Sequence, residues 1–136
     1  MDPMAIYQDK IMHHAHKPFI GEGIVGDGLV IEKRNPLCGD TVRFRILSHE
    51  LVGSQARGCA LCIASTSIFT KTYVEMGQIM IKPTVAWLES LIDKNITDHK
   101  GFEDDRDALS VIANVKARFQ CVHLPWILAK EEWCDE

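Results

Sequence analysis

The order of elements legible in the sequence is a helix, then strands, then helices to the carboxyl end. Three observations carry this. Residues 4–17 place Ile6, Ile11, Met12 and Ala15 at helical spacing before Pro18. Residues 41–46 alternate strictly, with Val42, Phe44 and Ile46 set against Arg43 and Arg45, so one face is core and the other wet. From Ala60 onward the apolar residues recur at helical intervals, with few strand signals.

The first helix reads as amphipathic. Four glycines, Gly21, Gly23, Gly26 and Gly28, then mark a flexible, turn-rich connection that matches neither phosphate-binding fingerprint. Leu29-Val30-Ile31 is a short strand leading to a break at Asn35-Pro36-Leu37-Cys38-Gly39-Asp40. Ser48-His49-Glu50 suits a hairpin connection from strand 41–46 to a strand over 51–57. Gly58-Cys59 then opens a helix over 60–75, which places Cys59 at a strand-to-helix junction, where free backbone amides favour a thiolate. Gly77 ends that helix, and Pro83 sits near the start of another running through Trp87 and Leu91. A polar excursion covers 93–107, helical spacing resumes over 108–115, and Lys116-Ala117-Arg118 forms a basic turn. A final helix spans 119–132, with Cys121 near its beginning and Pro125 tolerated early in it.

A length of 136 residues suits one domain, 1–136. With 46% hydrophobic and 25% charged residues the composition is that of a globular protein, and no apolar run is long enough to cross a bilayer. Residues 1–8 carry no secretory signal, so the expected compartment is the cytoplasm, without membrane partners. A net charge of −4 argues against nucleic acid, although Arg43, Arg45, Arg57, Lys116 and Arg118 could form local basic patches. His13, His14 and His16 form a short histidine tract, read as incidental to an exposed helix rather than as metal ligands.

Five cysteines without an export signal point to reduced thiols, metal ligands or reactive groups rather than to disulfides. Cys38, Asp40, Cys59 and Cys121 offer three sulfurs and one oxygen, a donor set for zinc or an iron-sulfur cluster. The alternative is that some of these cysteines are buried small hydrophobes, and spacing alone does not separate the two readings. Cys59-Ala60-Leu61-Cys62 has Cys-x-x-Cys spacing, but neither a second such pair nor a βαβ pattern accompanies it. Cys134 falls in a terminal segment expected to fray.

These blocks resemble the IscU/NifU amino-domain family of iron-sulfur cluster assembly scaffolds, in its SufU type, over nearly the whole chain. Tyr7, Ile11, His14 and Pro18 resemble the opening helix, and Asn35-Pro36-Leu37-Cys38-Gly39-Asp40 the first cysteine motif. Gly58-Cys59 with Ile63-Ala64-Ser65-Thr66-Ser67 resembles the second, and Ala117-Arg118-Phe119-Gln120-Cys121, continuing to Leu124 and Trp126, the third. The polar excursion looks like the SufU insertion, Gln120 stands where IscU proteins carry a histidine ligand, and Arg118 matches a SufU arginine.

The resemblance implies a small antiparallel sheet of about three strands packed against several helices, SufE/NifU-like. It thereby implies an α+β domain, with a surface site of Cys38, Asp40, Cys59 and Cys121 that holds zinc. Cys38 is then the acceptor of persulfide sulfur from a SufS-like cysteine desulfurase, and acceptor apoproteins or a cluster-assembly complex lie downstream. The alternatives are a scaffold that builds a [2Fe-2S] cluster, or binds iron, at the same residues, and a structural zinc domain. In two places the chain departs from the pattern: the stretch from Asp40 to Cys59 is somewhat short for SufU, and Cys62 stands where the family has serine. Cys62 is therefore a possible extra ligand, a second sulfur relay or a neutral replacement.

Overall fold

The structure is a computed structural model that describes residues 3–93 and 101–133. Helix α1 (Pro3–His16) is followed by strands β1 (Leu29–Arg34), β2 (Thr41–Leu47) and β3 (Glu50–Arg57). Helices α2 (Ala60–Met76), α3 (Ile81–Leu91) and α4 (Phe119–Glu132) complete the regular elements, with 3-10 turns at Gly77–Met80, Asp105–Asn114 and Lys116–Arg118. The sheet is an antiparallel meander in the order β1-β2-β3. This is the α+β architecture expected, and among the described residues no helix is long and apolar enough to cross a membrane.

The alternation of β2 decides which face the helices cover. Val42, Phe44 and Ile46 are buried, and Phe44 stacks on Phe69 of α2 at 4.7 Å between ring centroids. Phe69 in turn meets Trp126 of α4 edge-on at 4.8 Å. One aromatic row thus joins sheet, central helix and last helix, and each fully buried ring contributes about 1.5–3 kcal/mol through the surface it hides. The tight turn between β2 and β3 consists of Ser48 and His49, both with positive φ (53° and 65°), the conformation whose twist matches a two-residue hairpin.

Helix α2 is buried over most of its length despite its hydroxyls, because Ser65, Thr66, Ser67, Thr70 and Tyr73 all find partners. Ser65 Oγ donates to the Val122 carbonyl at 2.6 Å and accepts from Trp126 Nε1 at 2.9 Å. Ser67 Oγ accepts the Phe19 amide at 2.8 Å and lies 2.7 Å from His14 Nδ1. The other nitrogen of His14 lies 2.9 Å from Asp105 Oδ2, so this histidine is a buried strut between α1, α2 and the 105–114 turn rather than part of an exposed tract.

Four local expectations need revision. Strand β1 extends to Arg34, three residues beyond the apolar run, because its outer positions pair with β2 through the backbone and need no core side chain. Arg45 is not on the wet face. It is buried, and its guanidinium donates to the carbonyls of Gly23 (3.1 Å) and Asp27 (2.8 Å), which anchors the glycine-rich segment instead of leaving it flexible. Residues 105–114 form 3-10 turns, not an α-helix, with Asp104 capping them by accepting the Arg106 amide. The polar excursion also folds back: Arg106 is buried, pairs with Asp104, donates to Thr84 Oγ1 at 2.9 Å and lies 3.7 Å over the Phe102 ring. The middle of that excursion and Cys134 lie outside the described residues.

Candidate metal centre

The turn between β1 and β2 is closed by its own backbone. The Asn35 amide donates to the Asp40 carbonyl at 2.8 Å, and the Gly39 amide donates to the Asn35 carbonyl at 2.7 Å. The buried side chain of Asn35 accepts the Leu37 amide at 3.1 Å. Gly39 takes a positive φ of 77°, which lets the chain reverse immediately after Cys38. The turn holds Leu37 (85% exposed) and Cys38 outward while Asp40 points inward, 1% exposed.

Asp40 is tied to the next element. Its Oδ1 accepts the Cys59 amide at 2.9 Å, and its Oδ2 lies 3.5 Å from Cys59 Sγ. Gly58 makes that approach possible: at its φ of 132°, a Cβ would sit 1.9 Å from Asp40 Oδ1. Burial raises the Asp40 carboxyl, yet hydrogen bonds from Cys38 and Cys121 and from the Cys59 amide and thiol outweigh it and hold the group below its ordinary range. Cys59 is the N-cap of α2, at the strand-to-helix junction expected for it.

Cys121 comes from the first turn of α4 and is buried. Its Sγ lies 3.8 Å from Cys38 Sγ. Burial pushes its thiol well up, and Asp40, Cys59 and Cys38 around it add to that push. The donor atoms of Cys38, Asp40 and Cys121 all lie within 4.8 Å of one another and could hold a metal ion; Cys59 lies outside that group, with its Sγ 3.5 Å from Asp40 Oδ2. Two thiolates at tetrahedral angles on zinc, with bonds of about 2.3 Å, stand about 3.8 Å apart, and a thiolate and a carboxylate oxygen about 3.6 Å apart. The separations of 3.8 Å and 3.5 Å match that geometry.

Of the four residues singled out in the sequence, the structure thus brings Cys38, Asp40 and Cys121 together from the β1–β2 turn and the start of α4, with Cys59, at the start of α2, beside Asp40. Arg118 is exposed, and its guanidinium interacts with the Cys121 side chain first and with the Cys59 and Cys38 charges next, which raises its pKa further. Cys62 is fully buried one turn into α2; burial drives its thiol well up, with Asp40 and Cys59 as the next causes. It stands behind the cluster rather than in it. Sequence reasoning missed the roles of Gly58 and Asn35, although the glycine just before the helix-opening cysteine was the available signal.

A small meandering sheet under helices, with thiols and a carboxylate gathered beside it, is an α+β fold with a thiol-rich candidate metal site. A family profile described as "NifU-like N terminal domain" matches residues 6–81. The zinc-dependent sulfurtransferase SufU of Bacillus subtilis (strain 168) is 28% identical over 145 residues, covering 93% of this chain and 92% of that protein. Among solved structures, a nitrogen-fixing NifU-like protein (N-terminal) from Brucella abortus superposes with a TM-score of 0.71 at 18% identity, over 92% of this chain and 91% of that one. A Fervidobacterium islandicum AW-1 protein, described as an iron-sulfur cluster assembly scaffold for the SUF system, superposes with a TM-score of 0.64 at 21% identity, over 95% and 97%. The chain belongs to the NifU-like N-terminal domain family.

Proposed function

We propose that this chain is a SufU-type iron-sulfur cluster assembly protein that takes persulfide sulfur from a cysteine desulfurase, with Cys38 as the acceptor. The single observation that carries the reading is the exposure of Cys38 beside the buried Asp40 and Cys121 and the half-buried Cys59. Of these four residues, Cys38 is the one a partner protein can reach directly. The name of the Bacillus subtilis relative, a zinc-dependent sulfurtransferase, supports the same reading.

Cys38, Asp40, Cys59 and Cys121 would hold zinc, which supplies a Lewis acid that keeps bound thiols deprotonated. The Cys38 thiolate attacks the outer sulfur of the partner's persulfide; the sulfur–sulfur bond breaks, and the partner's cysteine leaves as thiolate. Leu37, bare to solvent beside Cys38, gives the partner an apolar foothold, and the exposed charge of Arg118 draws the persulfide anion toward the site. In this reading residues 1–136 act as one domain in the cytoplasm, delivering sulfur to acceptor apoproteins or to a cluster-assembly complex.

A desulfurase assay tests the assignment. Cys38→Ala is expected to abolish stimulation of the partner while the fold persists; stimulation equal to that of the unaltered protein sinks the acceptor role. The Fervidobacterium islandicum relative favours a second reading, in which the same residues carry a [2Fe-2S] cluster as cargo. Anaerobic reconstitution separates the two: stoichiometric zinc that iron does not displace supports sulfur transfer, and a stable cluster chromophore supports the scaffold.

A further inference from the structure

Cys62 has no part in the sulfur-transfer step, yet its position relative to Cys59 is chemically specific. Cys59 is the N-cap of α2 with extended backbone (φ −73°, ψ 160°), and its carbonyl accepts the Ile63 amide at 3.1 Å, so the first turn of the helix is regularly formed. Cys62 is then the third residue of that helix. N-cap and third-position side chains lean toward each other across the first turn, which is why they exchange hydrogen bonds in capping boxes. Neighbours three apart on a helix have Cβ atoms about 5–6 Å apart, and a disulfide needs about 3.5–4.5 Å, so closure requires a backbone shift at the Cys59 N-cap. The exposures differ: Cys59 is half-buried, whereas Cys62 is completely buried. An attacking thiol at a helix start with a buried resolving thiol one turn later is the arrangement of a dithiol redox site.

We propose that Cys59 and Cys62 form a dithiol redox site that takes an external disulfide as its substrate and closes into an intramolecular disulfide. The Cys59 thiolate attacks one sulfur of the disulfide, whose bond breaks, and the first thiol leaves carrying a proton. Cys62 attacks Cys59 Sγ, expelling the second thiol, which leaves with the Cys62 proton. The external disulfide gains two electrons and the Cys59–Cys62 pair loses two. Closure also withdraws Cys59 Sγ from Asp40, 3.5 Å away, and so removes one thiolate from the cluster. The disulfide chemistry stands apart from the zinc reading; only this last consequence rests on it.

The experiment equilibrates the full chain, as purified and after metal removal, with glutathione disulfide, alkylates the remaining thiols and maps the peptides by mass spectrometry without reduction. The expected product is a Cys59–Cys62 link, with two free thiols lost per chain and Cys38 and Cys121 still alkylated. Cys62→Ser, with Cys62→Ala as a second variant, should stop at a glutathione adduct on Cys59. A Cys38–Cys121 link, or a glutathione adduct persisting on Cys59 of the unaltered chain, overturns the proposal. In the zinc-loaded sample, zinc released in step with the disulfide supports withdrawal of Cys59, whereas a disulfide formed with zinc retained refutes that consequence. A chain that binds no zinc yet forms the link refutes the zinc reading and leaves the dithiol site standing.

Discussion

Replacing Gly58 by alanine puts the seating of Asp40 to a quantitative test. At φ 132° an alanine is strained whatever surrounds it, and its Cβ would stand 1.9 Å from Asp40 Oδ1, 2.7 Å from Cγ and 2.9 Å from the Asp40 Cα. The backbone strain alone costs about 1–3 kcal/mol. Because the backbone at Asp40 is fixed by the Asn35 pairing, relief has to come from the carboxylate, which gives up the Cys59 amide, a charge-assisted bond whose loss costs about 1.5–3 kcal/mol. Gly77 supplies the control: its φ is also positive, at 73°, but a Cβ there meets nothing within 4 Å, so Gly77→Ala registers strain alone. Urea unfolding of the metal-free variants should show Gly58→Ala costing about 1.5–3 kcal/mol more than Gly77→Ala. Chelator competition should show zinc affinity lowered by about 10–100-fold in Gly58→Ala, as expected when a ligand's supporting contact is lost, and unchanged in Gly77→Ala. Equal costs together with equal affinities would refute the claim that Gly58 is needed to seat Asp40.

Other perturbations separate the core from the site. Burial alone would raise the Asp105 carboxyl, but it accepts from His14, Lys71 and Lys10, and these partners hold it far below the ordinary carboxylate range. A depressed carboxyl stabilises the fold above its unfolded pKa, and that stability is lost as pH falls through the folded pKa. Asp105→Asn should therefore lower stability by about 1–3 kcal/mol at neutral pH, with the gap narrowing as denaturation is followed below about pH 3.8. Ser65→Ala leaves the indole N–H of fully buried Trp126 unpaired and should cost about 1–3 kcal/mol in the same measurement. Arg45→Lys loses the planar fork that reaches Gly23 and Asp27; limited proteolysis should then cut within residues 21–28 sooner than in the unaltered chain. Stripping metal under reducing conditions should leave the helical circular dichroism and a cooperative melt in place, because Phe44, Phe69 and Trp126 pack without help from the site; a chain that unfolds would instead mark the metal as structural.

The legible parts of this fold are those set by periodicity and by strong local chemistry. The alternation of Val42, Phe44 and Ile46 marks the core face, Gly77 the end of α2, and the motif blocks contain Cys38, Asp40 and Cys121, the three residues whose donor atoms gather. What escaped depends on long-range polar pairing, which leaves no periodic trace. Arg45 alternates like a surface residue and was read as one, yet the carbonyls of a glycine-rich segment some twenty positions earlier satisfy it in the interior. Arg106 sits in a run of acidic residues that looks solvated until Thr84 and the Phe102 ring are brought against it. Residues 108–115 have helical apolar spacing, and a 3-10 turn serves nearly the same spacing over so short a span, so burial of Ala108, Leu109, Val111 and Ile112 does not require the α form.

The geometry also divides labour within the cluster. Cys59 and Cys121 ride on the first turns of helices that are packed into the core, and Asp40 is locked between the Asn35 backbone and the Cys59 amide. Cys38 differs: its turn is closed beneath it by Asn35, but its own side chain is exposed and is held by the 3.8 Å approach to Cys121. Under the proposed sulfur transfer, a reacting thiol has to leave the cluster and return without the other donors collapsing into the gap. Three donors on rigid supports and one on an exposed turn meet that requirement, so loosening the rigid ones, as Gly58→Ala does to Asp40, should impair retention of the metal more than access to Cys38.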